Sequence, residues 1–190
     1  DDIQAGCGRT GTYFSFEASG IKPDIITMSK SLSGYGLPFA IVLIRPDLDI
    51  WEPGEHNGTF RGNNHAFITA AAAIRHYWKD DKFAAEIVEK SAIVSERFKK
   101  LSEQYGVTKL QPKGRGMMQG LACRDGDIAD EIGRACFERG LVIETCGNRG
   151  HVVKVFCPLT IDTAELIRGL DILSDSIAEV LGKSVNKKAS

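Results

Sequence analysis

Apolar and polar positions fall into three regimes along the chain. Over residues 1–62 the apolar residues stand in short runs between Gly, Pro and polar clusters. Residues 25–28 and 39–44 read as short buried strands; Pro38 leads into the second and Arg45-Pro46 ends it. The run of alanines at 70–73 predicts a closely packed helix over 66–78. Over 82–104, Phe83, Ile87, Ala92, Val94, Phe98 and Leu101 recur at helical spacing and predict a long amphipathic helix, stopped near Gly106. The last third reads as a strand at 116–123, a helix at 128–139, and strands at 141–145 and 152–156. Asp162, with Glu165 three residues on, has the form of a capping box. The helix after it sets Leu166, Leu170, Leu173, Ile177 and Leu181 on one stripe. The expected organisation is a strand-and-loop region over 1–80, a connecting helix over 81–105, and a small β-α-β-β-α unit over 106–190. The tail 183–190, with three lysines, reads as a frayed, solvated end.

Composition narrows the function classes. Apolar residues make up 43% and charged residues 26% of the 190, enough to bury a core. A net charge of -1 argues against binding nucleic acid or an anionic membrane surface, both of which favour a basic excess. No apolar run approaches the roughly 20 residues of a membrane span. The five cysteines, Cys7, Cys123, Cys136, Cys146 and Cys157, are odd in number and lack disulfide or zinc-ligand spacing. They read as reduced, mostly buried thiols of a cytoplasmic protein with no bound metal.

The candidate chemistry gathers in the first regime. Gly6-Cys-Gly8-Arg-Thr-Gly11 fits a dinucleotide fingerprint literally, but no helix-length segment follows it, so the glycines read as a tight turn. Lys30 follows the apolar run 25–28 and precedes Gly34-Tyr-Gly36. A lone lysine is ordinarily a solvated surface cation; between a buried run and a glycine loop, the alternative is an amine in a crevice at a strand end, partly desolvated, as Schiff-base chemistry requires. Asp1 and Asp2 read either as a turn or cap, or as a partner for a cationic ring nitrogen. On a strand, Asp1 and Ile3 would face one way, Asp2 and Gln4 the other. The stretch 56–64 reads equally as a phosphate-holding loop around Thr59 or as a polar loop with a helix cap.

Taken in order, these pieces resemble a known family. Asp1-Asp-Ile-Gln-Ala-Gly-Cys-Gly-Arg-Thr-Gly11, Pro23-Asp-Ile25, Ser29-Lys30, Gly34-Tyr-Gly-Leu-Pro38, Gly58-Thr-Phe-Arg-Gly62 and an alanine helix resemble the class III aminotransferases. Val152-Val-Lys-Val-Phe-Cys-Pro-Leu159 is similar to that family's small-domain strand. The resemblance implies an α/β fold of the type I class that depends on pyridoxal 5′-phosphate. The chain would supply part of the large mixed-sheet domain and a C-terminal α+β small domain. It implies that Lys30 forms the Schiff base and then moves a proton, that Asp1 pairs with the ring nitrogen, and that Gln4 bonds the ring hydroxyl oxygen. Ile3 would pack on the ring, and Thr59 would reach the cofactor phosphate of a neighbouring subunit, making a homodimer or higher homo-oligomer part of the site. Where many members carry arginine to grip a substrate carboxylate, this chain has Lys154, which lacks the bidentate fork; Arg61 is a second candidate. The resemblance implies L-glutamate as amino donor and L-aspartate 4-semialdehyde as acceptor, with potassium as an added ion for which no ligand set is visible.

Two other readings stay open. The same scaffold serves other ω-amino donors such as ornithine or 4-aminobutyrate, and a non-catalytic cofactor-binding protein could retain the fold. The family's phosphate cup and ring-stacking aromatic lie upstream of the Asp1 motif, so the expected parent is about twice as long, in keeping with a two-domain build. Residues 1–190 alone are then expected not to hold the cofactor stably.

Overall fold

A computed structural model describes residues 1–59 and 61–186. Phe60, within the Gly58–Gly62 motif, lies outside the described residues, as does the end of the tail, 187–190. The chain forms two compact units, divided between Glu86 and Ile87.

In the first unit, strands β1 (Ile25–Met28) and β2 (Ile41–Ile44) pair antiparallel, Ile25 opposite Ile44 and Met28 opposite Ile41. Both had read as buried strands. Only Met28 is buried, whereas Ile25, Val42 and Leu43 are exposed. A two-stranded ribbon cannot cover both of its own faces, so apolar residues that suit an interior strand stay in the open here. Helix α1 (Asn64–Tyr77) starts two residues earlier than its alanine run predicts. The reason is Asn63, whose side-chain oxygen accepts the N–H groups of His65 at 3.0 Å and Ala66 at 3.3 Å. Ala66 and Ala70 are buried on α1. Edge-on aromatic packing of Trp78 against Tyr13 (5.1 Å) and Phe83 (5.6 Å) ties the glycine-rich start of the chain to the end of this helix.

Helix α2 (Lys82–Tyr105) leads into the second unit. The unit contains β3 (Leu110–Arg115), β4 (Met118–Cys123), α3 (Gly126–Glu138), β5 (Glu144–Cys146), β6 (Val152–Val155) and α4 (Thr163–Asn186). Its sheet is antiparallel throughout, in the order β3-β4-β6-β5. The expected β-α-β-β-α unit is thus β-β-α-β-β-α. Strand β3 was missed because Leu110 is its only buried residue, and Pro112 and Gly114 interrupt any strand-like pattern.

The buried face of α2 also differs from expectation. Ile87, Val94, Phe98 and Leu101 are buried as predicted, but Ala92 is exposed, and its expected place inside goes to Lys90. Position 90 continues the 87–94–98–101 stripe, so helical phase places it inward despite its charge. Its ammonium donates to the Leu159 carbonyl at 3.1 Å, which keeps the buried cation partnered. Gln119 on β4 ties α2 to the sheet. Its amide nitrogen donates to Ser91 O (3.1 Å) and Gly116 O (2.7 Å), and its amide oxygen accepts the Ser95 hydroxyl (2.9 Å). The α4 stripe is as predicted, with Leu166, Leu170, Leu173, Ile177 and Leu181 all buried. Only half of its capping box forms: Asp162 accepts the Ala164 N–H at 2.8 Å, while Glu165 turns to Arg168.

Candidate active site

Lys30 opens a 3-10 turn, Lys30–Ser33, directly after β1. Its φ is +52°, a left-handed conformation that costs a non-glycine residue about 1–2 kcal/mol. The surroundings hold it there. The Ser29 hydroxyl donates to the Phe39 carbonyl at 2.6 Å, and the Leu32 N–H closes onto the Ser29 carbonyl at 3.1 Å. Leu32 and Ser33 are buried beneath the turn. Gly34 follows with φ +70°, and a Cβ there would stand 2.5 Å from the Cβ of Ala73 on α1. The alanines of α1 therefore exist in part to let the lysine turn come close. The Lys30 side chain itself is exposed, so the expected desolvating crevice is not built by the described residues. The bonds at Ser29 and Leu32 fix the backbone of the turn and leave Lys30 exposed.

The Asp1–Gln4 segment is not a strand. Residues 3–10 form consecutive turns, with Gly6 N–H donating to Asp2 O at 3.1 Å and Gly11 N–H to Gly8 O at 3.0 Å. This is the tight turn expected of these glycines. Asp1 is exposed and accepts the Ile3 N–H at 2.8 Å, while Ile3 and Gln4 are half-buried. Asp2 is turned inward, and its N–H donates to the Thr27 carbonyl of β1 at 2.8 Å. That bond places the Asp1 turn beside β1, the strand that leads into the Lys30 turn. Neighbouring acid–base candidates are silent at neutral pH. Burial pushes the Cys7 thiol up, and Tyr13 is pushed up to about 12, first by burial and then by the charge of Cys7.

Thr59 and Arg61 lie on an exposed loop of the same unit. Arg61 is folded back: its N–H donates to Gly58 O at 3.1 Å and its guanidinium to the His56 carbonyl. Both readings of the 56–64 stretch had been open, and the cap is realised at Asn63. Lys154 belongs to the second unit, on β6. It is already partnered, by Glu144 across the β5–β6 pair at 3.1 Å and by the Phe156 ring at 4.5 Å. Its side chain is 13% exposed and lines a cavity of about 490 Å³ between these strands and α4, with Glu144, Phe156, Cys157 and Arg168. Sequence reasoning left Asp2 open between a turn or cap and a partner for a cationic ring nitrogen, and it missed the Ser29 brace and the Gly34–Ala73 approach. Only Gly34 carried a signal, as a glycine just after a candidate functional residue. The five cysteines are free, but only Cys123 and Cys136 are buried, where most were expected to be; Cys7, Cys146 and Cys157 are partly exposed. Among the described residues no cluster of His, Cys, Asp and Glu could hold a metal ion, and no helix is long and apolar enough to cross a membrane.

The first unit thus sets a lysine with a left-handed backbone on a short turn after β1, and an aspartate turn hydrogen-bonded to that same strand. The chain belongs to the class III aminotransferase family, whose profile matches residues 1–177. A diaminobutyrate–2-oxoglutarate transaminase of Vibrio parahaemolyticus is 57% identical over 96% of this chain and 44% of its own length. One from Halomonas elongata is 58% identical over 93% of this chain and 42% of its own. Among solved structures, the ornithine aminotransferase of Toxoplasma gondii, crystallised with partial occupancy of pyridoxal phosphate, superposes with a TM-score of 0.85 at 27% identity, over 96% of this chain and 43% of that one. The chain thus spans less than half the length of the curated relatives it matches.

Proposed function

We propose that this chain carries the Schiff-base lysine and ring-nitrogen acid of a cytoplasmic, pyridoxal-phosphate-dependent diaminobutyrate–2-oxoglutarate transaminase of ectoine biosynthesis. The complete protein would move the amino group of L-glutamate to L-aspartate 4-semialdehyde, giving L-2,4-diaminobutanoate and 2-oxoglutarate. The observation that carries the reading is the Asp2–Thr27 bond, which sets the Asp1 turn against the strand that leads into the Lys30 turn. Identity of 51–58% to several transaminases of that name supports the substrate pair.

The donor set fits the cofactor. Lys30 offers an amine for its aldehyde, Asp1 a carboxylate for its ring nitrogen, Gln4 an amide for its hydroxyl oxygen, and Ile3 an apolar side chain for its ring face. Once bound, the cofactor supplies an electron sink for the bond-breaking at the substrate carbon. Asp1 would hold a proton on the ring nitrogen, and the Lys30 amine would hold the cofactor and serve as the group that gives and takes the proton at the substrate carbon. Thr59 serves the phosphate of a second subunit in a homodimer.

Two measurements test the reading. The complete protein should show a visible absorption band that shifts on adding glutamate, and it should turn over L-2,4-diaminobutanoate with 2-oxoglutarate faster than ornithine or 4-aminobutyrate. A preference for ornithine would overturn the substrate assignment. Lys154 is assigned to a substrate carboxylate, bound as a point charge. Lys154→Ala should raise the KM for glutamate about 10–100-fold, the loss of one charge-assisted bond, with a smaller change in kcat. Arg61→Ala, whose guanidinium is held by its own loop, should leave that KM nearly unchanged.

A further inference from the structure

Asp2 has no part in the roles assigned so far, yet it is the most constrained residue of the cofactor-facing turn. The residue is 2% exposed, while the neighbouring Asp1 is exposed. Both carboxylate oxygens are occupied. Oδ2 accepts the Ser15 N–H at 3.0 Å, and Oδ1 accepts the Ser15 hydroxyl. The backbone of Asp2 is held at both ends, its N–H by Thr27 O at 2.8 Å and its carbonyl by Gly6 N–H at 3.1 Å. A Cβ on Gly6 would lie 2.8 Å from that carbonyl and 3.0 Å from the Asp2 Cβ, so the turn closes over Asp2 only because residue 6 is glycine. A buried carboxylate is costly unless its oxygens are filled, and here one serine thirteen residues away fills both. An ordinary surface turn needs no such arrangement.

The placement has a consequence for Asp1. The adjoining residue is anchored to Ser15 by its side chain and to β1 by its N–H. Thr27 precedes Lys30 by three residues on one continuous stretch of backbone. We propose that Asp2 is a positioning residue of the cofactor site: it fixes the Asp1–Gln4 turn at a set offset from β1, and so holds the Asp1 carboxylate and the Lys30 amine in one frame. Supporting groups of this kind set the geometry of those that touch the reacting species. The inference rests on the transaminase reading given above.

The test uses the complete holoenzyme with Asp2→Asn and Ser15→Ala. It compares the melting temperature without cofactor, the dissociation constant for pyridoxal phosphate, and kcat and KM for glutamate at saturating cofactor. Asp2→Asn should weaken cofactor binding and lower kcat each by about tenfold, the loss seen when a group orienting a ligand-holding residue is removed, with KM for glutamate kept within about twofold. Ser15→Ala should move the same quantities in the same direction by less. If Asp2→Asn does not fold, Ser15→Ala decides. A lowered melting temperature with unchanged kcat in the folded variants makes Asp2 merely structural and overturns the proposal. A wild-type protein that binds no cofactor overturns the transaminase reading together with this one, whereas a working wild type beside unaffected variants overturns this one alone.

Discussion

Lys30→Ala in the complete protein should lower kcat for amino transfer about 10⁴-fold, the upper range for loss of a positioned proton carrier, while leaving thermal stability almost unchanged. The two halves of this expectation come from different observations. The side chain is exposed, so its removal uncovers no buried surface. The strain lies in the backbone at φ +52°, and alanine keeps it. Chemistry and folding therefore separate cleanly at this position. The check is a steady-state assay beside a thermal melt. Turnover within about tenfold of wild type, far above what the loss of a general base permits, would remove Lys30 from its assigned role.

Gly34→Ala should do the opposite and damage both. Residue 34 sits at φ +70°, and an added Cβ meets the Ala73 Cβ at 2.5 Å and the Thr69 carbonyl at 3.2 Å. Left-handed strain and overpacking together should cost about 2–5 kcal/mol, measured as a lowered urea midpoint. The turn can relieve the clash only by lifting away from α1, and Lys30 begins that turn. Activity should therefore fall even in the molecules that stay folded. Ala73→Gly combined with Gly34→Ala should recover part of the loss, because it removes one of the two colliding atoms and leaves the strain.

The difference between these two sites also explains what could be read from the chain. The α4 stripe was readable because five leucine and isoleucine positions share one helical phase and meet one core. The α2 face was readable except where Lys90 takes an inward position; residue type pointed out and helical phase pointed in, and a carbonyl 69 residues away settled it. Strand β3 was hidden because an edge strand with one buried residue has no alternation to show. The burial of β1 and β2 was overstated, since a run of isoleucines reveals what a strand can pack against and not whether a facing layer is present. At the site, the order of motifs pointed to the lysine and to the acid of the Asp1 turn. It could not show the left-handed backbone at Lys30 or the inward turn of Asp2. Two adjacent aspartates look alike until a serine thirteen positions on selects one of them.

The sheet of the second unit has two outer strands, and both discourage association between molecules. An unpaired strand edge invites another chain to add to it, and molecules then join in rows. β3 meets that hazard with Pro112, which has no N–H to offer, and with the charges of Lys113 and Arg115. β5 meets it by being only three residues long, Glu144–Cys146, with a carboxylate at its start. Pro112, which helped to conceal β3 as a strand, is thus also the residue that withholds an N–H from any chain that would pair with its edge.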